Sequence, residues 1–157
     1  MTSLSPAIGR THDLAATSTV ARQLAAACLM VAGATILLAI ITAEALYPAA
    51  YSTHASEISD LGGTRPPEGL VYQPSAAIFD IAMIVVGVLL LLGAFLIDRA
   101  FGRRSVSLPI AVLGMAAFSV GVFPGNTGTP HAIAAMVTFI SGGVAALSSA
   151  SISSGPI

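Results

Sequence analysis

The chain has no lysine, no tryptophan and a single cysteine, and charged residues make up only 8% of its 157 residues. A soluble domain carries about 25% charged residues, so an ordinary water-facing surface is excluded. The six cations are all arginine, and the formal net charge is −1. No basic stripe alternates with aromatics, and no nucleic-acid partner is expected. One cysteine, Cys28, can form neither an internal disulfide nor a thiolate metal site. It reads as a small packing residue, and cysteine usage does not reveal the redox compartment.

What the chain has in quantity is apolar side chains, 55% of the total, with a mean hydropathy of +0.91. They gather into four runs, at 24–46, 78–97, 106–123 and 132–152. Each is near the ~20 residues that cross a ~30 Å hydrocarbon core as a helix. The pattern predicts an all-α, polytopic transmembrane helical bundle of four spans. A disordered cytoplasmic leader is expected at 1–23, the transmembrane domain at 24–152 and a short tail at 153–157. Ala43-Glu44-Ala45 offers a formal signal-peptide cleavage site. The run before it is longer than the ~7–15 residues of a signal core, so an uncleaved anchor is favoured.

Orientation follows from the arginines. Arg10 and Arg22 precede the first span, and Arg99, Arg103 and Arg104 lie between the second and third. The link at 48–77 sets Arg65 against Glu57, Asp60 and Glu68, and the link at 124–131 has no arginine. Cytoplasmic segments carry the excess of Arg and Lys. Both termini are therefore expected inside a cell (plasma) membrane, with the first and third links outside.

Small residues mark helix contacts. Gly87 suggests a packed face on span two, as do the pairs Ala117/Gly121 and Gly142/Ala146, four apart, on spans three and four. Ala117-Phe118-Ser119-Val120-Gly121 lacks the first glycine and the strand context of a nucleophile elbow, and carries no catalytic reading.

Two carboxylates interrupt the apolar runs: Glu44 near the outer end of span one, and Asp80 about one turn inside span two. Glu44 at headgroup depth either reaches water or joins a polar pocket at the outer surface. Asp80 lies deeper, on the face of Met83, Ile84 and Gly87, and calls for a polar partner. The first link holds Ser59-Asp60-Leu61-Gly62-Gly63, with turn chemistry, and the third holds Pro124-Gly125-Asn126. His131 follows Pro130 at the start of span four, either as a hydrogen-bonding residue at a helix end or as a proton carrier. His54 and Glu57 in H-x-x-E spacing match no specific zinc signature, and neither a metal nor another cofactor is predicted.

At these links the chain resembles a family. Tyr51-Ser52, Ile58-Ser59-Asp60-Leu61-Gly62, Ala77-Ile78-Phe79-Asp80, then Gly121-Val122-Phe123-Pro124 and His131 are similar to the prokaryotic membrane family called domain of unknown function 998. A fainter similarity runs to eukaryotic membrane proteins of the Frag1/DRAM/Sfk1 type, which share a Ser-Asp motif after the first span. The resemblance implies about six spans, no established activity, and asparagine more often than aspartate at position 80. It therefore raises a truncated six-span fold as an alternative.

The functional expectation is a multi-pass membrane protein of undefined biochemical role with an outward polar pocket built from Glu44, Ser59, Asp60, Asp80 and His131. Membrane lipid is the expected partner, with a homo-oligomer or partner helices left open. One alternative is a membrane-embedded hydrolase or lipid-modifying enzyme, in which Asp60 or Asp80 orients and His131 is the base. The other is a small transporter with Asp80 in the path.

Overall fold

The computed structural model describes the backbone of residues 5–48, 51–52 and 54–153, and the side chains of 19–48, 51–52 and 54–150. The expected tail lies almost wholly outside these residues. Four α-helices and two short 3₁₀ turns account for the described fold: α1 (Ser5–Ala45), η1 (Ile58–Leu61), α2 (Ser75–Phe101), α3 (Arg104–Val122), η2 (Gly125–Thr127) and α4 (Thr129–Ser153). Helix α1 begins at Ser5, within the stretch read as a leader, and its membrane-compatible part is Thr19–Ala45. All four helices are long and apolar enough to cross a membrane. This is a multi-pass, all-α membrane protein. Helices α2 to α4 overrun the apolar runs by a few residues, because polar residues such as Ser75, Arg104 and Thr129 continue the helix beyond the hydrocarbon core.

The helices pack in chain order, α1 on α2, α2 on α3 and α3 on α4. Helices α2 and α3 are the more buried pair, and α1 and α4 flank them. On α1 the contact stripe is alanine: Ala25, Ala32 and Ala39, each seven apart, and Ala43 are all buried. Seven residues are close to two turns, so these small side chains share one face and let the backbones approach. Gly93 of α2 lies against the same helix: a methyl group there would stand 3.2 Å from Leu29 Cδ2 and 3.5 Å from Cys28 Cβ. Cys28 is thus a packing residue.

The α2–α3 seam is tighter. A methyl group at Gly87 would fall 2.6 Å from the Phe118 backbone nitrogen and 2.7 Å from the Gly114 carbonyl oxygen. One at Gly121 would fall 2.8 Å from Ile84 Cγ1. The expected contact at Gly87 is present, and Ala117 is 2% exposed beside it. The pair on α4 behaves differently. Gly142 makes only an ordinary contact with Leu113 Cδ1, at 3.7 Å, and Ala146 is exposed, whereas Ala145 is buried. Small size at four-residue spacing permits a seam but does not say which face meets a neighbour.

Outward faces are strongly apolar. Phe139 is 80% exposed, Leu147 76% and Met30 75%, and these belong against lipid tails rather than water. Several hydroxyls within the spans turn back on their own helices, whereas Ser75 and Ser107 near the helix ends bond across elements. Thr42, Ser119, Thr138, Ser141 and Ser149 each donate to the carbonyl four residues earlier.

Candidate functional site

The two motif-bearing links lie at the same end of the bundle and touch. The first enters through three tyrosines: Tyr47 packs edge-on against Tyr51 at 5.7 Å and against Tyr72 at 4.9 Å. Burial pushes the Tyr47 hydroxyl above its ordinary pKa, with smaller contributions from Tyr72 and Asp60. The Tyr51 hydroxyl donates to the Glu57 carbonyl at 3.1 Å, fixing the approach to η1. Leu61, at the end of η1, is fully buried and anchors the turn in the core. Ser75 at the start of α2 donates its hydroxyl to the Leu61 carbonyl at 3.2 Å, inside the protein. Arg65 pairs with Glu57 at 2.8 Å, and Thr64 closes a small loop by donating its amide to the Leu70 carbonyl and accepting the Leu70 amide on its hydroxyl.

The second link docks on the first through glycine. Gly125 and Gly63 are buried, and a methyl group at Gly125 would run into the Gly63 carbonyl oxygen. Only a residue without Cβ allows these two backbones to meet so closely. Asn126 lies over Gly63: its side-chain oxygen would be 3.2 Å from a methyl group there.

His131 is 2% exposed. Its Nδ1 lies 2.8 Å from the Phe123 carbonyl. A carbonyl only accepts, so Nδ1 carries the hydrogen, and in the neutral ring Nε2 keeps the free lone pair. This bond ties the first turn of α4 to the end of α3 and fixes the ring. A cavity of about 430 Å³ opens beside it. Its polar rim is Glu57, Ser59, Arg65 and His131, and its apolar floor includes Ile36, Ile40, Phe79, Met83, Val120 and Phe139. Contributions therefore come from all four helices and the first link.

Of the five residues read as a pocket, Ser59 and His131 line this cavity, and Glu44, Asp60 and Asp80 do not. Asp60 turns back within its own turn, where Oδ2 accepts the Glu57 amide at 2.9 Å. Glu44 is half-buried near Tyr51, whose pKa is raised chiefly by burial and then by that carboxylate. Asp80 leans against Gly62, where a methyl group would collide with Oδ1. The expected polar partner for Asp80 is not seen at that oxygen: Oδ1 is buried with no hydrogen-bond partner among the described residues, and the same holds for Asn126 Oδ1. Among the described residues, no three His, Cys, Asp or Glu side chains gather closely enough to hold a metal ion.

Sequence reasoning missed Arg65, Ile36, Ile40 and Thr138 as lining residues. Thr138 was accessible from spacing, since it follows His131 by seven and shares its helix face. Ile36 and Ile40 face the cavity only because the first link folds back over α1, which periodicity does not report.

Bringing the Ser-Asp-Leu-Gly-Gly turn, the Phe-Pro-Gly-Asn turn and His131 to one end gives the resembled motifs a common location. A family profile described as "Protein of unknown function (DUF998)" matches residues 30–154, most of the chain. The chain belongs to the DUF998 family. No curated protein and no solved structure matches it. Within this DUF998 chain the matched region begins inside the membrane part of α1 and takes in α2, α3, both turns and all of α4.

The environment of Asp80 gives a direct prediction. An isolated carboxylate in a low-dielectric setting is far costlier than an amide of the same shape. Asp80→Asn keeps the unpaired oxygen but removes the charge, and is expected to stabilise the protein modestly, by roughly 1 kcal/mol. Thermal denaturation in detergent measures this. A clear fall in Tm would show that the charge holds a partner across the Gly62 turn.

Proposed function

We propose that this DUF998 protein is a non-enzymatic amphiphile-binding protein of the cell membrane, with its cavity facing outward and membrane lipid as its partner class. The observation that carries the reading is the cavity itself. It places an ion pair, a serine and a fixed imidazole above a floor of six large apolar side chains. A ligand matched to it has one polar end and one apolar chain, and such molecules reside at headgroup depth. Orientation rests on the arginines: Arg22, Arg99, Arg103 and Arg104 lie at the opposite end, which the positive-inside rule assigns to the cytoplasm.

Other polar contacts favour binding over chemistry. Ser59 shares its hydroxyl with Glu57 at 3.5 Å rather than with His131, and Asp60 is engaged by the Glu57 amide. A nucleophile, a base and an orienting acid in mutual reach would be the mark of a hydrolase. A transport path would place free polar groups along the depth of the bundle, whereas the hydroxyls of Ser119, Thr138 and Ser141 bond to their own helices.

Both parts of the reading are tested by one thiol. Ser59→Cys, made with Cys28→Ala, is expected to react with a membrane-impermeant maleimide added outside intact cells, with Ser105→Cys reacting only after the membrane is opened. Dodecanoate is expected to slow labelling of the Ser59 thiol at least fivefold. Labelling at Ser105 from outside would overturn the orientation, and an unchanged rate at Ser59 with dodecanoate would overturn the binding role.

A further inference from the structure

The opposite end of the bundle carries its own pattern, independent of the cavity. Among the described residues, four arginines gather there against one acid, Asp98. Two are held by aromatic rings: the Arg22 guanidinium lies 5.0 Å over Phe101, and that of Arg99 lies 5.5 Å over Phe95. Stacking of this kind fixes the cation while leaving its edge free to donate. Arg104 stands at the first turn of α3 with its side chain 88% exposed. Asp98 is already engaged, since Ser107 donates to it at 3.4 Å and Arg104 Nε lies 4.0 Å away. The start of α3 has no side-chain cap, so its first amide groups add to the positive field.

Below these arginines, beside the packed α2–α3 seam, residues of both helices line a groove of about 470 Å³. Its walls are Leu91, Ala94, Phe95, Leu108 and Ala111, and its mouth holds Arg104, Ser107 and the Asp98 carboxylate, which the surrounding four arginines outnumber. The groove runs into the hydrocarbon depth between two spanning helices, so what fills it is apolar. Its mouth lies among cations, so what caps it is anionic. Water suits the mouth but not the walls, and a neutral lipid suits the walls but leaves the arginine cluster without a counter-charge.

We infer that the α2–α3 groove is a binding site for an anionic phospholipid of the leaflet on the arginine side. One acyl chain lies along Leu91, Phe95 and Leu108, and the phosphate accepts hydrogen bonds from Arg104 and Arg103. Arg99, held on Phe95, supplies further positive charge at the rim. Planar guanidinium groups match phosphate oxygens in pairs, and the excess of arginine selects the lipid whose phosphate charge is not cancelled by an ammonium in its own headgroup.

Native mass spectrometry of the full chain in detergent, titrated with phosphatidylglycerol or with phosphatidylcholine of the same chains, tests the site. The unmodified protein is expected to retain phosphatidylglycerol at least tenfold more tightly. The Arg103→Gln, Arg104→Gln double variant is expected to lose that preference, a change on the scale of two cations near a headgroup. Both side chains are exposed, so the fold is not at risk. Leu108→Trp, which fills the exposed groove wall, is expected to weaken both lipids. Glu68→Gln, at the other end and lining neither cavity, is expected to change neither. Equal affinity for the two lipids, a preference that survives the double arginine variant, or full binding by Leu108→Trp would each overturn the assignment.

Discussion

Gly87→Ala is expected to lower the melting temperature in detergent by on the order of 10 °C. The added methyl would sit 2.6 Å from both the Phe118 Cβ and its backbone nitrogen, and 2.7 Å from the Gly114 carbonyl oxygen. Two of those three atoms are backbone, so no side-chain rotation relieves the overlap. Helices α2 and α3 must separate or slide, and every contact along their seam weakens with them. Overpacking of a well-packed core costs about 1–3 kcal/mol, and a rigid backbone neighbour puts this site at the top of that range. For a chain of this size each kcal/mol moves Tm by roughly 2–4 °C. Gly142→Ala is the matched control: its nearest neighbour is Leu113 Cδ1 at 3.7 Å, ordinary contact distance, and little change is expected. If the two variants melt together, the α2–α3 seam is not packed as described.

The second large effect is expected at Gly125→Ala. Its methyl would overlap the Gly63 carbonyl oxygen and also approach the Ser59 carbonyl at 3.6 Å. Both motif turns would have to part. The cavity rim contains Ser59 and Arg65 from the first link and His131 just after the second, so their separation removes the site as well as stability. Loss of about 2–3 kcal/mol is expected by the same overpacking argument. Protection of the Ser59 thiol by dodecanoate is expected to disappear with it. Gly128→Ala isolates the conformational part of such a change. Gly128 has φ +73° and meets only the Pro66 side chain, at 3.6 Å or more. With ψ −116° it lies in a positive-φ region sparsely populated by any residue but glycine, so the change should cost about 1–3 kcal/mol and leave protection intact. Normal protection in Gly125→Ala would mean that the two turns can part without disturbing the cavity.

These two glycines show where sequence reasoning reached and where it stopped. The four spans were legible because length and hydropathy are decided by the bilayer, locally and one helix at a time. Turn chemistry at Ser59–Gly63 and Pro124–Asn126 was legible for a similar reason: short acceptors and glycines act on their own backbone. The contact between the turns was not, because it joins Gly63 and Gly125 across two helices. The same distinction explains the carboxylates. A pocket shared with His131 needs a free Asp60 carboxylate, yet Oδ2 bonds the Glu57 amide three residues earlier. Asp80 was read as needing a partner, but its surroundings are set by how closely Gly62 approaches α2, which spacing along the helix does not encode. The alanine stripe at Ala25, Ala32 and Ala39 was present in the sequence at a strict interval of seven. It was obscured by the many other alanines of α1, which have no neighbour to choose among them until α2 is placed.

The order of helix packing has a mechanical consequence. Helices α1 and α4 both border the cavity, yet among the described residues the substantial interfaces run from each helix to the next, and α1 and α4 share none of that size. Stiffness across the gap between α1 and α4 comes from the interlocked turns at one end and, along the rest of the gap, from the surrounding lipid. Lateral pressure at headgroup depth therefore acts directly on the width of the cavity, and spreading α1 from α4 requires no α2–α3 contact to break.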